Sequence, residues 1–540
     1  MNVAQLVVRC LENEGARYVF GIPGEETLAL SDALAQSEQV RFITVRHEQG
    51  AAFMADVYGR LSSYPGVCLA TLGPGATNLL TGVADANLDR APLVAITGQA
   101  GLERAHKESH QYVDIPAMFA PVTKFSARIT VPDATPEVMR KAFRLARLEK
   151  PGATHVELPE DVADQECDLA PMEVRRTLYP EAGAAALERA VRVIVEAERP
   201  LLLVGNGVLR RQARGRGAAD ALRDFVHASR IHAAHTFMAK GALDDADPLA
   251  LPAVGLQRPG ADLGAVPALA EADVVITVGY DQVEWSPALW NPDRGRRIVH
   301  IDSTPAEIDG HYLPEVEVVG EIGESLRALA ATVPPREHRD LSPHSAYPTP
   351  DDHAFPLRPL RVVADLRAAL GDDDVVICDV GAHKVWLSRA YPTARPNTVI
   401  VSNGFASMGI ALPGAIAAKL VHPDRKVVAF CGDGGFLMNV QELETAKRLG
   451  SAIVVVVLVD HRYGVIEANQ LRRFGRAASI EFGNPDFVAL ARSFGVAGYA
   501  VERTEDLLPT LRRALAEDGP AVVAVPIDHR ENAKLADVLR

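Results

Sequence analysis

Residues 427–431 (Val-Val-Ala-Phe-Cys) and 453–459 (Ile-Val-Val-Val-Val-Leu-Val) are two apolar, strand-like runs separated by a helical stretch. The first ends in Gly432-Asp433-Gly434-Gly435 and the second in Asp460-His461-Arg462-Tyr463-Gly464. Strand, glycine turn, helix, strand, acidic turn is the order of a parallel α/β unit. In such a unit both turns emerge at the strand-end edge where ligands bind. Asp433 and Asp460 can therefore meet at one point, although 27 residues separate them. Two carboxylates at one point repel unless a cation lies between them. Hard oxygen ligands beside a glycine-rich backbone suit Mg²⁺ holding a phosphate.

The same alternation runs through most of the chain, at 67–71, 93–97, 201–204, 274–278, 298–301 and 375–379. The 540 residues thus read as several parallel-sheet α/β domains. Two polar, proline-containing stretches, 168–183 and 333–357, interrupt the pattern and read as linkers. They leave domains at 1–166, 184–332 and 354–540. The first and third blocks resemble each other: each carries two glycine turns after strands, with a helix opening after each turn.

A net charge of −14 argues against nucleic acid as a partner. No apolar run approaches the length of a membrane span, and the N-terminus carries no secretory pattern. A cytoplasmic protein is expected. The five cysteines have no paired spacing, so buried reduced thiols are expected.

Gly21-Ile22-Pro23-Gly24 follows a short strand and makes a turn that could also admit a ligand backbone. Glu48 stands where a strand passes into an Ala-rich helix too apolar for the surface. It reads either as a helix-start charge or as a partly buried carboxylate in need of a partner. Gly73-Pro74-Gly75 ends another strand, with a helix expected from Ala76 or Thr77. Asn87, Asp89 and Arg90 read as packing features. In the third block Gly381, His383 and Lys384 open a helix and form a reasonable anion site, although His383 could equally lie on the surface. Met408, before a small-residue helix at 410–420, reads as core.

Taken together, these segments resemble the thiamine diphosphate enzymes of the acetolactate synthase group. The motifs are GIPG at 21–24, RHEQ at 46–49, LGPGATNLLTGVADA at 72–86, PLVAITGQ at 92–99 and HKESHQYVDIPAMFAPVTK at 106–124. They continue with HTFMAKGALDD at 235–245, DVGAHKVW at 379–386, NGFASMG at 403–409 and GDGGFLMNVQEL from 432. The resemblance implies a thiamine diphosphate-binding fold. A pyrimidine-binding and a diphosphate-binding domain flank a Rossmann-like middle domain, and active sites lie at the subunit interface of a homodimer or homotetramer. It implies that Glu48 activates the cofactor's pyrimidine and that Met408 props the cofactor bent. Mg²⁺ would be held by Asp433, Asp460 and the carbonyl of Arg462. Gly24, Gly381, His383, Ser407, Gly434, Gly435, Tyr463, Gly464 and Val465 would be further cofactor contacts, and Gln111 would orient substrate.

The implied reaction decarboxylates pyruvate and joins it to a second pyruvate, giving 2-acetolactate. A decarboxylase or carboligase for another 2-oxo acid, and an inactive regulatory or structural relative, are the alternatives. Three departures from the group bear on this. Residues 467–470 (Glu-Ala-Asn-Gln) lack the tryptophan that favours 2-oxobutyrate as acceptor. Residues 279–283 (Gly-Tyr-Asp-Gln-Val) lack a substrate-binding arginine. His110 stands where many members have phenylalanine. FAD in a structural role is left open, because Gly205-Asn206-Gly207 and Lys240-Gly241 are turns found with and without it. Dimer versus tetramer and any regulatory subunit also stay open.

Overall fold

A computed structural model describes residues 1–536 except 63, 176, 178, 211–216, 257–265, 338–340 and 342–352. Most of the second linker therefore lies outside the described residues. The chain forms three parallel sheets. The first contains β1 (Tyr18–Gly21), β2 (Arg41–Thr44), β3 (Gly66–Ala70), β4 (Leu93–Gln99), β5 (Phe125–Arg128) and β6 (Ala153–Pro159). The second contains β7 (Pro200–Val204), β8 (Ala233–His235), β9 (Val274–Val278), β10 (Arg297–Asp302) and β11 (Val316–Val319). The third contains β12 (Val375–Cys378), β13 (Val399–Val401), β14 (Val427–Gly432), β15 (Val454–Val459), β16 (Ala497–Ala500) and β17 (Ala521–Pro526).

Their orders are β2-β1-β3-β4-β6-β5, β11-β10-β9-β7-β8 and β13-β12-β14-β15-β17-β16. The first and third are the same topology used twice. Each sheet has a switch point from which successive strands are laid to opposite sides: between β1 and β3, β7 and β9, and β12 and β14. Helices leave these strand pairs on opposite faces, so a crevice opens at their carboxyl ends. The glycine turns at 21–24, 73–75, 205–207, 381 and 432–435 lie at these three crevices.

Central strands are buried on both faces, which is why 454–459 is nearly all valine. The helix Glu48–Ser62 is buried at every residue from Gly50 to Gly59, as the sequence anticipated for a helix apolar all round. It packs on the small-residue helix Ala411–Val421. A Cβ on Gly414 would meet the Val57 side chain at 2.8 Å, so glycine is what lets the two axes approach. One apolar core consequently runs from the first sheet into the third, joining Phe53 and Val57 to Ala415 and Ile416. The middle sheet has cores of its own. The helix after Gly73 begins at Pro74, two residues earlier than expected, because proline suits a first helical turn that lacks N–H partners. Cys10, Cys68, Cys378 and Cys431 are free and buried, and Cys167 is half-buried. No described helix is long and apolar enough to cross a membrane.

Candidate active site

The third crevice carries the acidic pair. Asp433 opens a short helix, and its carboxylate accepts from the backbone N–H of Gly434 (2.8 Å), Asp460 (3.1 Å) and His461 (2.8 Å). It also accepts from the Asn484 amide at 2.8 Å. The turns after β14 and β15 are therefore bonded together, and the two aspartates do meet. Burial, reinforced by the charge of Asp433, pushes the Asp460 carboxyl up to about 7. The neighbouring cation, Arg462, is engaged by Glu467 at 2.8 Å, leaving excess negative charge at the pair. Among the described residues no cluster of three or more His, Cys, Asp or Glu side chains is set to hold a metal. The pair alone offers two carboxylates at the mouth of the crevice.

Around this pair the wall is shaped for a ligand. A Cβ on Gly434 would lie 3.0 Å from Tyr463, 3.3 Å from Phe482 and 3.6 Å from the Met408 methyl, so these three side chains converge over a bare backbone. The Tyr463 and Phe482 rings are 4.8 Å apart. Three buried polar atoms have no hydrogen-bond partner among the described residues: His383 Nε2, Ser407 Oγ and Asn484 Oδ1. Such atoms are costly unless a ligand or water meets them. His383 is buried rather than on the surface, and burial pushes its imidazole down to about 3. It can therefore serve a ligand as a neutral hydrogen-bonding ring, not as the cation an anion site would want. Gly435 packs on the Asp379 carboxylate, and Gly464 packs on Asn532 and Asp460. Val465 continues the helix Gly464–Phe474. His461 (φ 60) and Ala406 (φ 58) are left-handed non-glycine residues, and both border the site, where such strain is commonly found.

The first crevice carries two carboxylates, Glu48 and Glu26, each meeting a neutral donor. Glu48 is half-buried at the first turn of its helix and accepts from the Asn78 amide at 2.9 Å. Gly24 packs against Thr71 across the β1–β3 gap, and the Thr71 hydroxyl donates to Glu26 at 2.7 Å. Gln111 is exposed with φ 55, its carbonyl seated on Gly73. Glu48 and the Asp433–Asp460 pair belong to different domains and share no hydrogen bond among the described residues. Within one chain the residues flanking Glu48 face Glu442 instead: Arg46 and His47 donate their N–H groups to its carboxylate at 3.0 Å.

Asp85 and Asp89 hold the two domains in register. Both bind Arg60, with Asp56 as a third buried partner. Asp85 accepts from Ser402 (2.7 Å) and the Ser407 N–H (3.2 Å), and Asp89 accepts from the Gly404 N–H (2.6 Å). The loop that presents Met408 is thus anchored by first-domain aspartates. Sequence reasoning assigned no role to Asn78, Phe482, Asn484 or Arg60. The Asn-Leu-Leu stretch at 78–80 lay within a quoted motif, whereas nothing local marked the other three.

The middle crevice is filled by the chain itself. The Glu284 carboxylate accepts from the Asn206 N–H at 3.0 Å with both oxygens, from the Asp281 N–H at 3.2 Å and from the Thr236 hydroxyl. That is the position a dinucleotide's phosphates would need after β7. Beside it Tyr280, Trp285, Trp290 and Tyr312 are fully buried against one another, and Asp281 is ion-paired to Arg210 and Lys150. These residues do not fit a flavin dinucleotide.

Comparison with known proteins agrees with this division. Residues 1–118 match the family described as thiamine pyrophosphate enzyme, N-terminal TPP binding domain. Residues 187–329 match its central domain and 379–525 its C-terminal TPP binding domain. The chain is 38% identical over 551 residues to an acetolactate synthase of Bacillus subtilis, covering 99% of this chain and 94% of the relative. It is 38% identical to the catabolic acetolactate synthase of Raoultella terrigena, covering 98% and 96%. It is 35% identical to the acetolactate synthase isozyme 2 large subunit of Escherichia coli, covering 98% and 96%.

Proposed function

The chain belongs to the thiamine pyrophosphate enzymes, and from that premise we propose how its residues divide the work. It is a thiamine diphosphate-dependent carboligase of the acetolactate synthase type, decarboxylating pyruvate and joining it to a second pyruvate as 2-acetolactate. One observation carries the assignment of the diphosphate end: the bonded Asp433–Asp460 pair lies beside three unpartnered buried polar atoms and a bare glycine wall.

When bound, thiamine diphosphate supplies the carbon nucleophile and electron sink that the decarboxylation requires. Asp433 and Asp460, with the carbonyl of Arg462, would hold Mg²⁺, and the diphosphate would complete its octahedron. The neutral His383, the Ser407 hydroxyl and the backbone at Gly381, Gly434 and Gly435 would meet the ligand's polar atoms. Met408 and Tyr463 would supply the apolar shelf that fixes its bend. Glu48, oriented by Asn78, would hold the pyrimidine by a charge-assisted hydrogen bond. Gln111, exposed beside Gly73, would orient the substrate.

Two chains are needed if Glu48 is to reach a diphosphate site. Its own third domain offers it the Glu442 side, not the Asp433 turn. Ile466, Leu471 and Phe474, on the helix after Tyr463, are exposed together with Phe405 and Met438. An apolar surface of this kind supports a homodimeric or tetrameric assembly. FAD has no part in the scheme, since Glu284 stands in its crevice.

Mass-spectrometric identification of the products from pyruvate, with thiamine diphosphate and Mg²⁺ added, tests the reading. Acetolactate is the expected product. Turnover of a different 2-oxo acid with none of pyruvate would move the chain to the second reading, which the missing tryptophan at 467–470 favours.

A further inference from the structure

We propose that the cavity at the junction of the three domains binds a small oligophosphate, a molecule carrying two or more linked phosphates. The cavity measures about 880 Å³, within the range of small-molecule sites. Its described lining contains eight arginines and no aspartate or glutamate. Five of them are paired with carboxylates: Arg60, Arg90, Arg140 and Arg210 behind the wall, and Arg175 with exposed Glu173. Arg17, Arg144 and Arg147 differ: they are exposed at the rim, and none has an acidic partner among the described residues. Deeper in, Nε of Arg210 is buried and donates no hydrogen bond, while Nη1 of Arg210 and Nε of Arg90 stand 3.7 and 3.5 Å from the Glu149 and Asp281 carboxylates. The Arg210 side chain is only 5% exposed. Buried donors left unmet are costly, and guanidinium forks match phosphate oxygens in geometry and charge.

Several guanidinium groups around one pocket call for several anionic groups on one small ligand. A long polyanion would meet, beyond the pocket, a chain of net charge −14. The lining shares no residue with the Asp433–Asp460 cradle, so this is a separate site. Its walls come from all three domains: Gly59 and Arg147, Asn206 and Arg210, and Val399 to Val401. Arg60 donates to the Val401 carbonyl at 3.2 Å, and Val401 leads directly into the loop that presents Met408. An occupant would therefore brace the three domains against one another.

Calorimetric titration tests this on protein already loaded with thiamine diphosphate and Mg²⁺, so that its own diphosphate cradle is filled. ATP, tripolyphosphate and adenosine are the probes. ATP or tripolyphosphate should bind once per chain and raise the thermal midpoint, and adenosine should not bind. Equal affinity for ATP and tripolyphosphate would mean that the phosphates suffice. Tighter ATP binding would mean that the nucleoside is also held, with Tyr64 and Tyr179 as its neighbours. Reversing two exposed charges, Arg144→Glu with Arg147→Glu, should weaken binding about 100-fold and leave turnover without oligophosphate unchanged. Arg17→Glu provides the same reading if the double variant does not fold. No binding of either phosphate probe overturns the proposal. Adenosine binding as tightly as ATP, or affinity indifferent to the arginine variants, does so too.

Discussion

The first and third domains are one topology built twice, and they share a core, yet their crevices do opposite things with charge. The first keeps its carboxylates apart, Glu48 satisfied by a neutral amide and Glu26 by a hydroxyl. The third forces two carboxylates together, and burial and repulsion hold one of them near neutrality. The difference lies in the turn residues and not in the scaffold. Equivalent strand-end turns hold separated carboxylates in one domain and a joined acidic pair, after β14 and β15, in the other. The middle domain shows a third outcome, a crevice closed by its own glutamate.

Removing the first domain's charge should have the largest effect. Glu48→Gln is expected to lower turnover about 10²–10⁴-fold, the usual scale for a proton-handling group. Cofactor binding, read by quenching of intrinsic fluorescence, should largely survive, because the third domain is untouched. Loss of binding and turnover together would mean that the two crevices are not divided as argued.

The joint between the domains comes next. Arg60→Met leaves three buried aspartates with only the more distant charge of Lys384, and breaking such a group costs about 3–5 kcal/mol. Burial already pushes Asp56 and Asp85 upward, so protonation can relieve the defect. The loss, measured by chemical denaturation, should shrink as pH falls. A pH-independent loss would remove electrostatics as its cause.

Asp433→Asn sharpens the third domain's side, with Mg²⁺ and cofactor affinity falling about 10–100-fold while the fold persists. The smallest effect is a pH dependence of the unaltered protein. Asp460 must be ionised to hold a cation, and its carboxyl lies near 7. Mg²⁺ affinity in the presence of thiamine diphosphate should therefore be flat above that pH. Below it, affinity should fall by about ten-fold per unit as one proton competes. A flat profile down to pH 5 would exclude Asp460 as a ligand.

Glycine turns after apolar runs were readable from the chain because strand, turn and helix start are local events. Asp433, Asp460 and Gly434 were placed on a crevice edge for that reason. The identity of their neighbours was not readable. Asn484 reaches Asp433 across 51 residues, and Ser402 reaches Asp85 across 317. His383 shows the same gap in another form. Its position at a helix start suggested a cation for anions, whereas burial makes it neutral. The FAD question divides likewise: Gly205-Asn206-Gly207 leaves the crevice open on paper, and only the return of Glu284 closes it.

Apolar runs and their spacing alone determined that the chain makes parallel sheets and that its acidic turns emerge at carboxyl edges, since backbone hydrogen bonding and burial act over a few residues. Packing decided which carboxylates stay charged, which crevice is filled and where eight arginines gather. Charge and solvation depend on what comes within a few ångströms in space, and the chain order does not contain that distance.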